Sequence, residues 1–167
     1  MPRYLALMLI NTLVLAAVLI AFGVRINISA SFPLGLYRAL DDPWRKQDLV
    51  MACLPKSVGQ LGIERGYLGL SSECEGHTPV IKRVVAIAGD KVVIDKAISV
   101  NGQAIANTPV ATTDAAGRQL KAATSRITSK KHVWLVSNHT PTSFDSRYYG
   151  EIPASMVKYK VVPLWTF

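Results

Sequence analysis

The chain is poor in the residues on which several kinds of chemistry depend. Of its 167 residues two are cysteine (Cys53, Cys74) and three are histidine (His77, His132, His139), and the histidines lie far apart. That is thin material for a zinc framework or a histidine-based relay. Acidic residues number 11 against 19 basic ones, a net charge of +8. No G-x-G-x-x-G motif is present, which argues against a dinucleotide-binding domain. Internal repeats and low-complexity tracts are also missing, which argues against solenoids and disordered arrays.

Charge is absent from one stretch altogether. Tyr4 to Val24 runs 21 residues with only Asn11, Thr12 and Gly23 outside the hydrophobic set. As a helix it would reach about 31 Å, the thickness of a bilayer's hydrocarbon core. A cleaved leader is the rival reading, but the run is long for one, and Phe22-Gly23-Val24-Arg25 is a poor cleavage site. We expect an uncleaved membrane anchor over residues 1–25 and one domain over residues 26–167. Arg3 on one side and Arg25 with Arg38 on the other leave the positive-inside rule undecided.

The rest reads as mainly β. Asp48–Cys53, Val80–Ala88, Val92–Ile94, Ile98–Val100, Gln103–Ile105, Val133–Val136 and Tyr159–Trp165 have strand character, and Asn101-Gly102 is a strong hairpin signal. Residues 55–79 hold five of the eleven glycines and read mostly as loop, and residues 107–131 as an exposed polar excursion. Two cysteines in an exported domain suggest a Cys53–Cys74 disulfide. A metal site with His77, or two free buried thiols, are the alternatives.

Three segments carry candidate chemistry. In Asn27-Ile28-Ser29-Ala30-Ser31-Phe32-Pro33-Leu34-Gly35-Leu36-Tyr37 a serine could be presented on a stiffened turn, although a polar linker leaving the membrane has the same composition. In Val80–Ala88, alternation puts Lys82 on one face with Val80, Val84, Ala86 and Ala88, and Arg83 on the other with Ile81, Val85 and Ile87. A lysine on an apolar face loses hydration, which lowers its pKa toward that of a general base. An edge-protecting or snorkelling lysine is the plainer reading. In Ser143-Phe144-Asp145-Ser146-Arg147-Tyr148-Tyr149-Gly150, Asp145 and Arg147 suit a bracing ion pair, buried or on the surface.

In this order, behind a membrane span, the S-x-S-x-P, K-R-V-V-A-x-x-G-D and S-x-D-S-R-Y-x-G segments resemble the type I signal peptidases, membrane-bound serine–lysine peptidases. Within them the chain is most similar to the TraF-type enzymes of conjugative-transfer systems, through Ser31–Tyr37, Arg65-Gly66-Tyr67-Leu68, Ser143–Gly150 and Pro163-Leu164-Trp165-Thr166-Phe167. It departs from the general pattern in having Phe32-Pro33 directly after the serine, Ser137-Asn138-His139 in place of Gly-Asp-Asn, and a short stretch between the second and third motifs. Those departures turn the expectation from general leader processing toward a specialised substrate.

The resemblance implies a β-barrel-like signal-peptidase core, with Ser31 as nucleophile and Lys82 as general base. The Ser31 N–H and the Ser29 hydroxyl would form the oxyanion hole. Ser143 would orient the lysine, and Asp145 and Arg147 would hold the site's shape. It implies no cofactor and no metal, a periplasmic catalytic domain on the bacterial inner membrane, and a membrane-inserted, pilin-like precursor as partner, cut to a linear or a cyclic product. Seven extended residues span only about 23–25 Å, so Ser31 must work near the bilayer. The basic excess would favour anionic headgroups. The competing readings are a penicillin-binding-protein-like site at Ser155-Met156-Val157-Lys158, a non-catalytic channel scaffold, and a nucleic-acid-binding barrel. The last is disfavoured by dispersed basic residues without interleaved aromatics.

Overall fold

The computed structural model describes residues 2–167. Helix α1 (Pro2–Ala21) is followed by the strands β1 (Val24–Asn27), β2 (Gly35–Leu40) and β3 (Leu49–Ala52). Next come helix α2 (Lys56–Glu64), the small hairpin β4 (Leu70–Ser71) and β5 (Gly76–His77), and the long strand β6 (Val80–Ile87). Strands β7 (Lys91–Ile94), β8 (Ala97–Val100), β9 (Gln103–Pro109), β10 (Arg126–Ile127) and β11 (His132–Val136) lead to helix α3 (Ser146–Tyr149). Strands β12 (Ile152–Pro153) and β13 (Val157–Thr166) complete the chain.

The main sheet has seven strands in the order β1-β2-β13-β3-β6-β11-β12, and β10-β7-β8-β9 form a second sheet. The fold is mainly β, as the alternating short strands require. Asn101 and Gly102 both take positive φ (51° and 82°), the two-residue turn expected between β8 and β9.

The apolar helix stops three residues short of the hydrophobic run. Phe22 N–H and Gly23 N–H close its last turn on the carbonyls of Val18 and Ile20. Gly23 has φ +77°, and a Cβ there would lie 2.8 Å from the Ala39 carbonyl oxygen. The chain therefore turns at once into β1, and Val24 and Arg25 belong to the sheet rather than to helix α1. Hydrophobic content cannot mark this end, because Val24 suits a strand as well as a span.

Strand β6 lies between β3 and β11. Both its faces are covered, so Val80 and Val84 join one apolar cluster while Ile81 joins another with Phe32, Tyr37, Met51 and Val161. The strict alternation expected for Val80–Ala88 fails midway. Trp134 pairs with Ala86 and Leu135 with Val84, so Val85 is an extra residue, a β-bulge. Val85 and Ala86 are consequently both buried with Trp134 and Val136, and Ala88 falls outside the strand, exposed.

Residues 55–79 are also more ordered than their glycines suggest. Gly59 and Gly62 do not make turns. They lie buried on α2, where a Cβ would come within 2.1 Å of the His77 ring and 2.6 Å of Leu68. Here glycine allows close packing rather than breaking the helix. Cys53 and Cys74 are disulfide-bonded, Cα atoms 5.3 Å apart, and pin the β4–β5 region to the end of β3. The His77 ring nitrogens face the carbonyl oxygens of Thr78 and Leu54 (2.9 and 3.2 Å), not the sulfurs. The excursion after β9 is tied down by Asp114, which accepts from Tyr67 Oη (2.5 Å) and Arg118 Nε (2.7 Å).

The disulfide closes a loop of sequence separation 21. Replacing both cysteines by alanine is expected to remove about 3 kcal/mol of stability by relaxing the unfolded chain. Denaturant unfolding of the full chain in detergent micelles checks this, and wild type under reductant should match the variant.

Candidate active site

The loop joining β1 to β2 is folded around one amide. Asn27, buried at the end of β1, accepts the Ser29 N–H on Oδ1 (3.1 Å). Its Nδ2 donates to the carbonyls of Ser29 (3.0 Å), Phe32 (3.1 Å) and Pro33 (3.0 Å). Tyr37 Oη adds a bond to the Pro33 carbonyl (2.8 Å), and the Phe32 ring plugs into the core. Ser31, one residue ahead of that plug, is therefore held at the surface and stays half-buried. Its Oγ lies 3.0 Å from Ser29 Oγ, and its N–H points at the same Ser29 oxygen at 3.4 Å. The two groups that the resemblance assigns to an oxyanion hole thus occupy each other. A substrate carbonyl oxygen arriving there would have to take over both donors.

Beside this loop runs a groove of about 550 Å³, lined by Arg25–Ala30, Met51, Gly66–Gly69 and Thr78–Ile81. Apolar side chains such as Ile28, Met51, Leu68 and Ile81 form much of its wall.

Lys82 sits mid-β6, opposite Val50, and is 2% exposed. Burial drives its pKa from the ordinary 10.5 down to about 8. The nearby Asp145 carboxylate opposes the shift and the Arg147 guanidinium adds to it. Among the described residues no hydrogen bond joins the amine to Ser31 Oγ, whose partner is Ser29.

The third segment surrounds a fully buried ion pair. Asp145 caps α3, accepting Arg147 N–H (3.1 Å) and Nε (2.9 Å) on Oδ1, and Nη2 (2.8 Å) on Oδ2. Arg147 spends its remaining N–H groups on the carbonyls of Pro109 (2.6 Å), Pro141 (2.9 Å) and Ser143 (3.0 Å). All five guanidinium donors are used, and both residues are 0% exposed. Ser143 Oγ is buried without a hydrogen-bond partner among the described residues, and it makes no bond to Lys82. Burial, with Asp145 nearby, raises the Tyr149 phenol well above its ordinary pKa.

The sequence reading singled out neither Asn27, which folds the Ser31 loop, nor Ser137, whose hydroxyl donates to the Ser31 carbonyl. The only prior signal was that Asn27 opens the serine segment and that Ser137 stands where the chain departs from Gly-Asp-Asn. Ser155 and Lys158, the rival pair, are both exposed. Ser155 lies in a three-residue 3-10 turn rather than at the start of an α-helix.

Ser31 is thus half-buried beside the groove, and Lys82 is buried with a lowered pKa. Residues 3–165 match the family described as Signal peptidase, peptidase S26. The chain belongs to this signal peptidase family. A probable conjugal transfer protein TraF of Sinorhizobium fredii is 37% identical over 80% of this chain and 72% of its own. A plasmid transfer protein TraF of Escherichia coli is 35% identical over 95% and 91%. Among solved structures, a signal peptidase I of Enterococcus faecalis matches 71% of this chain and 97% of its own, at 17% identity and TM-score 0.43.

In this S26 peptidase the depressed pKa of Lys82 has a thermodynamic signature. The folded-state pKa lies below the unfolded one, so the unfolded chain binds the proton more tightly. Below about pH 8 burial of the ammonium costs up to about 3 kcal/mol, and the cost fades as pH rises toward 10.5. Lys82→Met should therefore stabilise the fold by up to that amount at pH 7, with the gain vanishing above about pH 10.5. Denaturant midpoints of wild type and variant across this range measure it.

Proposed function

We propose that this chain is a membrane-anchored serine endopeptidase that removes a signal or propeptide segment from an exported precursor, in a conjugation system a pilin. Ser31 acts as nucleophile and Lys82 as general base. The observation that carries the reading is the contrast of two environments: a hydroxyl kept at the surface by Asn27 and Phe32, and an amine buried until it holds its proton weakly. The conjugal and plasmid transfer names of the relatives support the conjugation setting.

The neutral Lys82 amine takes the Ser31 hydroxyl proton as Oγ bonds to the scissile carbonyl carbon. The carbonyl oxygen becomes an oxyanion, stabilised by the Ser31 N–H and the Ser29 hydroxyl. The C–N bond then breaks, the departing amine takes the proton from the Lys82 ammonium, and an acyl-Ser31 ester remains. Water opens that ester to a linear product. Where the segment removed lies C-terminal to the cut, attack by the N-terminal amine of the portion held on Ser31 would give a cyclic product lighter by one water. Asp145 and Arg147 keep the shape of the site.

The apolar helix α1 acts as the anchor, with the catalytic domain in the periplasm. Ile28 (83% exposed) on the Ser31 loop, and Trp165 (65%) and Phe167 (74%) at the end of β13, support a working position against the lipid surface. Strand β13 pairs with β2 there, Thr166 opposite Gly35. The cut would then fall beside a hydrophobic segment already in the membrane.

Co-expression with candidate pilin precursors tests the reading. Ser31→Ala and Lys82→Ala should abolish processing, and Lys82→Arg as well, because guanidinium does not give up its proton. Ser155→Ala should process normally. Processing that persists in Ser31→Ala favours the scaffold reading, and substantial activity in Lys82→Arg removes lysine as the base. With the full chain in micelles, kcat/KM should rise about tenfold per pH unit and level off near pH 8, as the amine loses its proton.

A further inference from the structure

Ser137 has no part in the scheme above, yet it touches both halves of the site. It follows β11 directly and is completely buried. Its hydroxyl donates to the main-chain carbonyl of Ser31, 106 residues away, and accepts the His139 N–H at 3.2 Å. Its own N–H donates to Asp145 Oδ2 (3.1 Å), the oxygen that also receives Arg147 Nη2. One side chain and its peptide nitrogen thus join the backbone of the serine to the carboxylate that neighbours Lys82.

The geometry also says what is being held. Asn27 grips the chain just before Ser31, at Ser29 N–H. Ser137 grips it just after, at the Ser31 carbonyl. The Cα of Ser31 is caught between the two, and its Oγ is left to Ser29 alone. Ser137 does not line the groove beside the loop.

Resting on the reading of Ser31 as nucleophile, we propose that Ser137 is a positioning residue. Its hydroxyl fixes the Ser31–Phe32 peptide, and with it the point from which the Ser31 hydroxyl meets the substrate carbonyl. Loss of the hydroxyl frees that peptide to rotate, and a displacement of about 1 Å in a reacting group costs on the order of 100-fold in rate. Substrate binding in the groove keeps its contacts, so the effect belongs in kcat rather than KM.

The test uses the full chain in detergent micelles and a precursor peptide that wild type cuts, with Ser31→Ala as the control. Ser137→Ala should lower kcat about 10- to 100-fold with KM within about twofold. The rising pH limb should stay near pH 8, because Lys82 is untouched. Ser137→Thr, which restores a hydroxyl, should recover most of the loss. The proposal is overturned if Ser137→Ala keeps kcat within about twofold of wild type, if its loss lies in KM, or if the threonine variant is as slow as the alanine one. If Ser137→Ala fails to fold, Ser137→Cys carries the test, having similar volume and a feeble donor. A wild-type melting temperature with low kcat supports the proposal, and wild-type kcat overturns it. Cleavage by Ser31→Ala would instead remove the reading of Ser31 itself, whatever Ser137 does.

Discussion

Three charged side chains share one water-poor interior, and two of them cancel. Asp145 and Arg147 are fully buried and bound to each other, with every guanidinium N–H given an acceptor. Breaking such a pair by removing one partner would strand a buried charge, a large penalty. Intact, the pair presents Lys82 with opposed fields, the carboxylate favouring its proton and the guanidinium disfavouring it. Desolvation then decides, and the amine is held near pKa 8. A lone aspartate beside Lys82 would have kept the ammonium charged, and a lone arginine would have left a second unpaired cation. The pair contributes shape and, through its near neutrality, lets burial set the lysine's protonation.

The hydroxyl side of the site depends on backbone control. Asn27 spends one acceptor and one amino group on four main-chain groups between Ser29 and Pro33. Phe32 converts that local fold into a tertiary one by entering the cluster of Tyr37, Met51, Ile81 and Val161. Ile81 precedes Lys82 on β6, so the residue that receives the Phe32 plug adjoins the one that holds the amine. The serine loop and the lysine strand are thereby positioned by the same apolar contact.

Much of the architecture was legible in the chain. The β6 segment, the β7–β8–β9 meander with its Asn101-Gly102 turn, and the strands β11 and β13 all announce themselves by apolar patterning. Other features did not, among them the strands β1 and β2 on either side of the serine loop, and three more have a definite physical cause. Helix α2 was hidden by Gly59 and Gly62, which resemble loop residues until the His77 ring and Leu68 are seen pressed against them. The end of α1 was hidden because apolar strand and apolar helix residues look alike at Phe22–Val24. The bulge at Val85 was hidden because it is a property of pairing with β11, absent from any single strand.

The sequence alone determined the residue types of the candidate site and their order, a long uncharged run, and a mainly β domain, because period-2 alternation and motif spacing are local properties. It also brought Ser31, Lys82, Asp145 and Arg147 to attention as chemistry. Only the tertiary structure decided that Lys82 is dry, that Asp145 and Arg147 offset each other beside it, and that Asn27 and Ser137 clasp the serine from either side. Desolvation and hydrogen bonds between residues 106 positions apart depend on which strands lie together, and that is fixed only when the whole sheet forms.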